Sequence, residues 1–457
     1  MLSYSGPPKV PYKLPFLDHT QQLHTRASEF LQECRKVYGG IFILYYLGER
    51  VIVFSGIEAK EMLKMTGLLV KEPRNRVMFI SDAIGEWSID PQHNLDAAAV
   101  TRKNITPLLK GVLPDVLDQI TKEFGTRLKE MPAVVDSYSF ISEIVISSVA
   151  ILLVGHTLAQ NAQLRHIMKT YSDEIEALIT KGLQWKTIPF IGNKLAHKLV
   201  RSQTPSVKVR KNIRDIINST YIDRTAMANP PAATNVLESL VDEGHTIEAI
   251  AHSLMGLIFA SVSTTTNTCL FLINDLLTFP NFIARLKAEQ IEYPLDLTKE
   301  YLDQMVYLNS AIRETLRHRG HRLEQWRITT HDHVTQAGIT IPKQSLLALD
   351  VSSLHFNEDV YPSPLEYNPF RFVGSRQSAT HIEASYIGFG SGLHACPGRF
   401  FAVQEVTAIM ATLLRGYNFA PEDGMPIPII SNTCFPQRYR LIITPSPASV
   451  SHPRKIY

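Results

Sequence analysis

The chain has 457 residues, 45% of them hydrophobic and 19% charged, so it can bury a large core and is predicted to be globular. Its net charge of +3 is too small to predict nucleic-acid binding, and no basic run is interleaved with aromatic residues. The cysteines lie far apart without a Cys-x-x-Cys pair, so neither a zinc site nor a disulfide framework is predicted, and a reducing compartment fits. They are Cys34, Cys269, Cys396 and Cys434.

Hydrophobic periodicity predicts a mainly helical chain with a small sheet near each end. The elements predicted in chain order are an extended proline-rich start at 6–18, a helix at 26–38, a β-hairpin of strands 41–46 and 51–54, a helix at 57–66, several helices from 107 to 180, a long helix at 246–279, a helix at 301–318, and strands at 327–330 and 345–349. The polar segment 186–231 predicts no defined element. No linker or internal repeat interrupts the chain, so we expect one domain over residues 1–457.

The long helix at 246–279 has no Asp, Glu, Lys or Arg between Ala249 and Asn274, a stretch long enough to cross a bilayer. Its middle, Ser261–Thr268, is mostly polar, which favours a buried helix that lines a cavity. The apolar run Ile144–Val154 is too short to cross. The first residues resemble neither a signal peptide nor a spanning segment.

Two charged residues of the helix at 301–318, Glu314 and Arg317, lie on one helix face because they are three positions apart. Most such pairs are exposed and contribute little. A third charged residue, Arg371, follows Pro369 and lies between two phenylalanines. The planar guanidinium group of Arg317 suits bidentate pairing with the carboxylate of Glu314.

The segment from Phe389 to Arg399 carries the strongest functional signal. It places Cys396 seven residues after Phe389, among three glycines, with His394 two positions before the cysteine. Glycines let backbone N–H groups approach a thiolate, and the aromatic ring can shield the sulfur from water. A helix is predicted to begin at Pro397, with its positive end near the sulfur. This pattern suits a thiolate ligand of a haem iron; the alternative is an inert cysteine in a glycine-rich turn.

The residues Phe389, Gly392, His394, Cys396 and Gly398 match the cysteine loop of the cytochromes P450, and the chain resembles that family over nearly its whole length. The proline-rich start and the segment His394–Ala402 resemble those of fungal, microsomal members that act in secondary metabolism. The resemblance implies the P450 fold, mainly α with small β-sheets. It also implies a haem b cofactor with Cys396 as axial iron ligand. The further residues that it implies are Phe389, His394 and Arg327 as cofactor contacts, and Glu314, Arg317 and Arg371 as a structural lock.

The family carries an acid followed by a threonine in its long helix. In this chain Thr264 occupies the threonine position, but Ser263 replaces the acid. We expect both to be catalytic, with Ser263 relaying protons through water because a hydroxyl cannot act as a carboxylic acid. The family's Trp-x-x-x-Arg pair is also incomplete, since no arginine follows Trp87 by four positions; Arg102 and Lys103 are weak substitutes. Around Thr264 the helix is expected to face the ligand together with Phe259 and Ala260, and residues 85–105 are expected to form a lid.

The resemblance implies a monooxygenase that oxidises a lipophilic small molecule, such as a terpenoid, polyketide or alkaloid. Dioxygen and an NADPH–cytochrome P450 reductase would be required, because the chain has no dinucleotide motif of its own. Residues 1–18 resemble the hinge that follows the anchor of members on the cytoplasmic face of the endoplasmic reticulum. The anchor itself is missing from the sequence, so we expect a peripheral, soluble or trimmed form. Two alternatives stay open: a haem-thiolate isomerase, dehydratase or cyclase that needs no reductase, and a non-catalytic haem-binding protein.

Overall fold

The computed structural model describes residues 6–12, 18–90, 94–188, 192–294, 296–320, 322–375, 377–422, 436 and 438–446. Within these ranges the helices are α1 (Thr20–Thr25), α2 (Ala27–Tyr38), α3 (Ile57–Met62), α4 (Lys71–Met78), α5 (Ile80–Ala83), α6 (Ala97–Val100), α7 (Thr106–Arg127), α8 (Ser137–Ala159), α9 (Ala162–Thr187), α10 (Gly192–Gln203), α11 (Ser206–Thr225), α12 (Val236–Asp242), α13 (Ile247–Thr278), α14 (Ile283–Ile291), α15 (Lys299–Gln304), α16 (Val306–His318), α17 (Ser352–His355) and α18 (Arg399–Gly416). A π-helical turn, Thr101–Ile105, joins α6 to α7. The strands are β1 (Ile41–Tyr46), β2 (Glu49–Phe54), β3 (Leu68–Leu69), β4 (Ala133–Asp136), β5 (Leu323–Thr329), β6 (His333–Val334), β7 (Thr340–Ile341), β8 (Leu346–Asp350), β9 (Tyr417–Pro421) and β10 (Arg440–Pro445).

The largest sheet joins the two ends of the chain. Its described strands have the order β1-β2-β8-β5-β3, and β2 pairs in parallel with β8 from Val51 opposite Leu346 to Phe54 opposite Leu349. The sequence predicted the hairpin and the later strands, but as separate small sheets at each end; that separation is wrong. Four consecutive residues of β2, Val51–Phe54, and all five residues of β8 are buried. Strands that are buried on both faces belong in the interior of a sheet, where each has a neighbouring strand at both of its edges.

The helical core is built around α13, which packs against α8, α9, α11, α16 and α18. The hydroxyl of Thr246 caps its first turn by accepting from the N–H of Ala249 at 3.3 Å, and Pro280 follows its end. The long helix predicted at 246–279 is therefore confirmed. One hydrophobic cluster runs through these helices from Phe79 to Ile443.

Two predicted segments differ in the structure. The helix predicted at 301–318 is broken at Met305 into α15 and α16, because the carboxylate of Glu289 caps α16 by accepting from the N–H groups of Tyr307 and Leu308 at 2.7 and 2.9 Å. The segment left undefined at 186–231 contains all of α10 and α11. Each of these helices buries few apolar side chains, which is why the pattern was weak; the buried apolar residues are Ala196, Val200, Ile213 and Ile217.

Both α8 and α13 are long and apolar enough to cross a membrane by composition. However, 83% and 61% of their most apolar windows are buried inside the protein, as in core helices of a soluble fold. Only part of the proline-rich start is described, and there Val10 donates to the carbonyl of Ile43 at 3.0 Å, so residues 6–12 run along β1. Residues 1–5 and 13–17 of the predicted hinge, and Cys434, lie outside the described residues.

Candidate functional site

The loop before α18 curls back around the sulfur of Cys396. The backbone N–H of Cys396 donates to the carbonyl of Phe389 at 2.7 Å, which closes the loop. This turn needs glycine at Gly390 and Gly392, whose φ angles are 75° and 60°. Burial raises the pKa of the Cys396 thiol, whereas the backbone N–H of Gly398, at the start of α18, acts against burial by hydrogen-bonding the sulfur. Coordination to a metal cation would remove the thiol proton outright.

Cationic side chains from three separate segments gather beside this loop. His394 has a lowered pKa because it is partly buried and lies near Arg327, Arg74 and Arg102, in that order of effect. Burial, together with the charge of Arg74, lowers the pKa of Arg327 to about 10. Within the described part of the chain, neither Arg74 nor Arg327 forms an ion pair with a carboxylate. Arg327 is buried, and the nearby charge of Glu324 acts on Arg74 without forming an ion pair. Because a buried cation without a paired carboxylate is costly, this cluster fits a ligand with negative charges beside Cys396.

An internal space lies between α13 and the cysteine loop. Ala260 and Thr264 are exposed in the middle of α13, although this helix is packed by other helices on several sides, and Cys396 is exposed as well. One turn before Ala260, a Cβ at Gly256 would lie 3.9 Å from Ala97 of α6. A Cβ at Gly398 would lie 3.9 Å from both the Cys396 sulfur and Thr101. The segment from α6 to the π-helical turn therefore spans the distance from α13 to the loop and bounds one side of the space.

The residues present fit a haem. A flat macrocycle with an iron at its centre and two carboxylates at its edge matches a space with a cysteine sulfur on one side and unpaired arginines at its margin. A cavity of about 620 Å³ lies next to this margin, between α4 and His394. Its apolar lining comes from Leu68, Leu69 and Val70.

The two predicted catalytic residues have different surroundings on α13. Thr264 faces the internal space, and its hydroxyl donates to the carbonyl of Ala260 at 2.7 Å. Ser263 is buried, and its hydroxyl donates to the carboxylate of Glu176 on α9. Phe259, also expected to face the ligand, packs partly against the main hydrophobic cluster. Sequence reasoning missed Glu176, because it is 87 positions from Ser263 and no local motif marks it.

The three residues predicted to pair are in contact. Arg317 Nε donates to Glu314 Oε2 at 2.7 Å, and Arg317 Nη2 donates to Oε1 at 2.8 Å. Arg371 Nε lies 3.1 and 3.2 Å from the same two oxygens, and neither Glu314 nor Arg317 is exposed to solvent. The carbonyl of Arg317 also contacts His355 Nδ1 at 2.9 Å, while His355 Nε2 accepts from the N–H of Ile387 at 3.0 Å. This chain of contacts ties α16 to a residue two positions before Phe389, so it positions the cysteine loop.

The incomplete Trp-x-x-x-Arg pair is only partly replaced. Trp87 is 48% exposed and donates to the carbonyl of Asp82 at 3.3 Å, away from the cationic cluster. Lys103 pairs with Glu243 at 2.7 Å. Arg102 is half-exposed, lies 4.0 Å from Asp96, and is near enough to His394 to lower its pKa. Of the two substitutes that the sequence offered, the structure brings Arg102 to the site; it adds Arg74 of α4, which the sequence did not mark.

Comparisons with known proteins identify the family and the fold. The family model for "Cytochrome P450" matches residues 8–451. Lanosterol 14-alpha demethylase of Cunninghamella elegans is 22% identical over 92% of this chain and 87% of its own length, and cytochrome P450 monooxygenase 151 of Postia placenta is 25% identical over 87% and 84%. The solved structure "Retinoic acid bound cyanobacterial CYP120A1" has a TM-score of 0.71 at 21% identity and covers 97% of this chain and 100% of its own. The predicted mainly α fold with small β-sheets is thereby confirmed, and the chain belongs to the cytochrome P450 family and is a P450 monooxygenase.

Proposed function

We propose that this enzyme holds haem b with the thiolate of Cys396 as the axial iron ligand and oxidises a lipophilic small molecule. The observation that carries the proposal is the exposed Cys396 beside Arg74 and Arg327, which form no ion pair with a carboxylate in the described part of the chain. When bound, the haem iron supplies the dioxygen chemistry of the family, which a thiolate ligand favours by donating electron density.

The chain's own residues have distinct roles in this proposal. The N–H of Gly398 and the ring of Phe389 hold and shield the sulfur. The cationic cluster pairs with the two propionates of haem; its members are Arg74, Arg102, Arg327 and His394. The space lined by Ala260 and Thr264 on the opposite side admits substrate and dioxygen. The lock of Glu314, Arg317 and Arg371 keeps the loop in place and takes no part in the chemistry.

The same proposal includes a class of substrate, an electron donor and a cellular location for the enzyme. The cavity of about 620 Å³ beside His394 has an apolar part formed by Leu68, Leu69 and Val70, and its other lining residues are polar or charged. An apolar part with a few polar groups suits a lipophilic substrate that carries polar groups, such as a terpenoid, polyketide or alkaloid. We propose an NADPH–cytochrome P450 reductase as electron donor and one domain over the whole chain. We also propose peripheral association with the endoplasmic reticulum and a role in secondary metabolism; both rest on the resemblance of the sequence to fungal, microsomal members of the family.

The carbon-monoxide spectrum of the reduced protein tests the ligand. We expect the strongly red-shifted Soret band of a thiolate-ligated haem, its loss in Cys396→Ala, and its retention in Cys34→Ala, which removes a buried cysteine outside the loop. A band that is absent, or that survives Cys396→Ala, would overturn the proposal. Spectral titration with lipophilic ligands then narrows the substrate class. Turnover without a reductase would instead favour a haem-thiolate isomerase, dehydratase or cyclase, the alternative raised by the missing acid at Ser263.

A further inference from the structure

The residue that replaces the family's acid is not isolated from a carboxyl group. Ser263 donates its hydroxyl hydrogen bond to Glu176, which lies on α9 and not on α13. One turn along α13, Asn267 donates to the Ser263 hydroxyl at 3.5 Å, and its amide also hydrogen-bonds the carboxyl of Glu176. A carboxyl group from a neighbouring helix thus lies beside Ser263, at the position where the family has its acid.

The opposite side of Glu176 leads towards solvent. Asp173 lies one turn earlier on α9, and Arg438 lies 4.0 Å from its carboxylate. The guanidinium of Arg438 is 3.6 Å from the ring centroid of Tyr138 on α8. The side chains of Arg438 and Asp173 are 54% and 39% exposed, whereas Ser263 is buried. Glu176 therefore connects a solvent-facing group of charges with a hydroxyl inside the helical core.

The charges around Glu176 set its protonation. Burial raises the pKa of its carboxyl to about 7; Arg438 and the amide of Asn267 act against burial, and Asp173 adds to it. The phenol of Tyr138 stays protonated, since burial and the nearby carboxylates raise its pKa. A carboxyl with a pKa near neutrality can both release and regain a proton under ordinary conditions, as a general acid must.

We propose that Glu176 is the acid of the proton relay in this enzyme and that Ser263 passes its protons to the space lined by Ala260 and Thr264. Ser263 lies three positions after Ala260 on α13, so the two residues are neighbours on the helix surface and Ser263 borders that space. When the Glu176 carboxyl is protonated, it gives its proton to Ser263 Oγ, while the serine hydroxyl, turned away from Glu176, gives its own proton to water in that space. Solvent then returns one proton to the Glu176 carboxylate past Asp173 and Arg438, so protons balance and no electron is transferred in the relay. This inference rests on the proposed function, because the relay has a task only if Cys396 holds a haem.

Another buried carboxyl group next to α13 is a poorer candidate. Glu405 of α18 hydrogen-bonds Thr265 and Ser148, but it is completely buried. Its described contacts include no exposed charged group through which it could regain a proton. Glu176 differs because its neighbours reach the surface.

Infrared titration of the carboxyl C=O band tests the protonation without turnover. We expect a carboxyl group that titrates near pH 7 in the wild-type protein and is lost in Glu176→Gln. In Ser263→Ala its pKa should rise, because the carboxylate loses a hydrogen-bond donor. Glu174→Gln, which removes an exposed carboxyl group from the same helix, is the matched control and should leave the band unchanged. No neutral-pH band, or one that persists in Glu176→Gln, would overturn the inference.

Oxygen reduction by the haem-loaded protein with its reductase, without substrate, tests the relay itself. Reducing one dioxygen to hydrogen peroxide uses one NADPH, and reducing it to two waters uses two. We expect Glu176→Gln and Ser263→Ala to lower the ratio of water to peroxide about a hundredfold, the low end of the effect of a positioned general acid, and Ser263→Thr to restore it. The wild-type water fraction should fall as pH rises through about 7, and Glu176→Gln should abolish that dependence.

An unchanged ratio of water to peroxide and an unchanged pH profile in Glu176→Gln would refute the relay. A ratio that falls in Ser263→Thr as much as in Ser263→Ala would also refute it. Each variant must first show the thiolate carbon-monoxide band. A wild-type protein without that band would refute the haem proposal, which the infrared titration does not measure, so the two failures are distinguishable.

Discussion

Removal of the Glu314 carboxylate should destabilise the fold strongly. Glu314 accepts from Arg317 at 2.7 and 2.8 Å, from Arg371 at 3.1 and 3.2 Å, and from the N–H of Asn368 at 3.0 Å. In Glu314→Ala the unexposed guanidinium of Arg317 keeps only neutral partners among the described residues: the carbonyl of His355 at 2.6 Å and the rings of Phe356 and Tyr361. Breaking a buried ion pair in this way costs about 3–5 kcal/mol. Since whole domains are stable by only about 5–15 kcal/mol, much of the total would be lost.

Guanidinium unfolding followed by circular dichroism, with haem content measured in parallel, provides the assay. We expect a large fall in the midpoint for Glu314→Ala and a smaller one for Glu314→Gln, whose amide oxygen still accepts from one arginine. The matched control is Glu33→Ala, which removes a bidentate partner of Arg26 on the exposed surface and should have no measurable effect. A midpoint for Glu314→Ala that corresponds to a loss below about 1 kcal/mol would show that Arg317 does not depend on this carboxylate.

Three other perturbations test neighbouring parts of the site. Arg74→Ala and Arg327→Ala should each weaken haem retention about tenfold, because each removes a cation that we propose to pair with the propionates. The measurement is the rate of haem transfer to an acceptor protein, and an unchanged rate would show that the residue does not hold the haem. Burial raises the pKa of Glu405 to about 8, so its contribution to stability is full at low pH and is lost as pH rises towards 8; Glu405→Gln should show a weaker fall of the unfolding midpoint between pH 5 and 8. Ser263→Asp places a second carboxyl group next to Glu176, and two neighbouring carboxylates repel each other once both are ionised. Its unfolding midpoint should therefore fall more between pH 6 and 8 than that of Ser263→Asn, and equal falls would contradict the contact.

Features made by residues close in sequence could be predicted from the sequence. The helix at 246–279 is specified by its own cap and terminating proline, and the cysteine loop is specified by glycines within three positions of one another. Glu314 and Arg317 were recognisable because one helical turn separates them. Arg371, more than fifty positions later, was found only through resemblance to the family.

Features made by distant segments could not be predicted in this way. Arg74 lies on a short polar helix, α4, and its closeness to Cys396 depends on how that helix packs against β5. Glu176 follows the ordinary amphipathic pattern of α9, and its partner appears only when α9 is laid on α13. For Ser263 the sequence showed correctly what was missing, but the replacement carboxyl group is supplied by tertiary structure.

The parallel pairing of β2 with β8 has a consequence for synthesis of the chain. Ser55, just after β2, hydrogen-bonds Asp350 at 2.6 Å across 295 positions of sequence, so β2 cannot gain its neighbour until about three quarters of the protein has left the ribosome. Until then the apolar strand Val51–Phe54 presents unpaired N–H and C=O groups, as an edge strand prone to aggregation does. Nascent or truncated chains that end before β8 should therefore depend on chaperones, and slower growth at low temperature should raise the yield of folded enzyme.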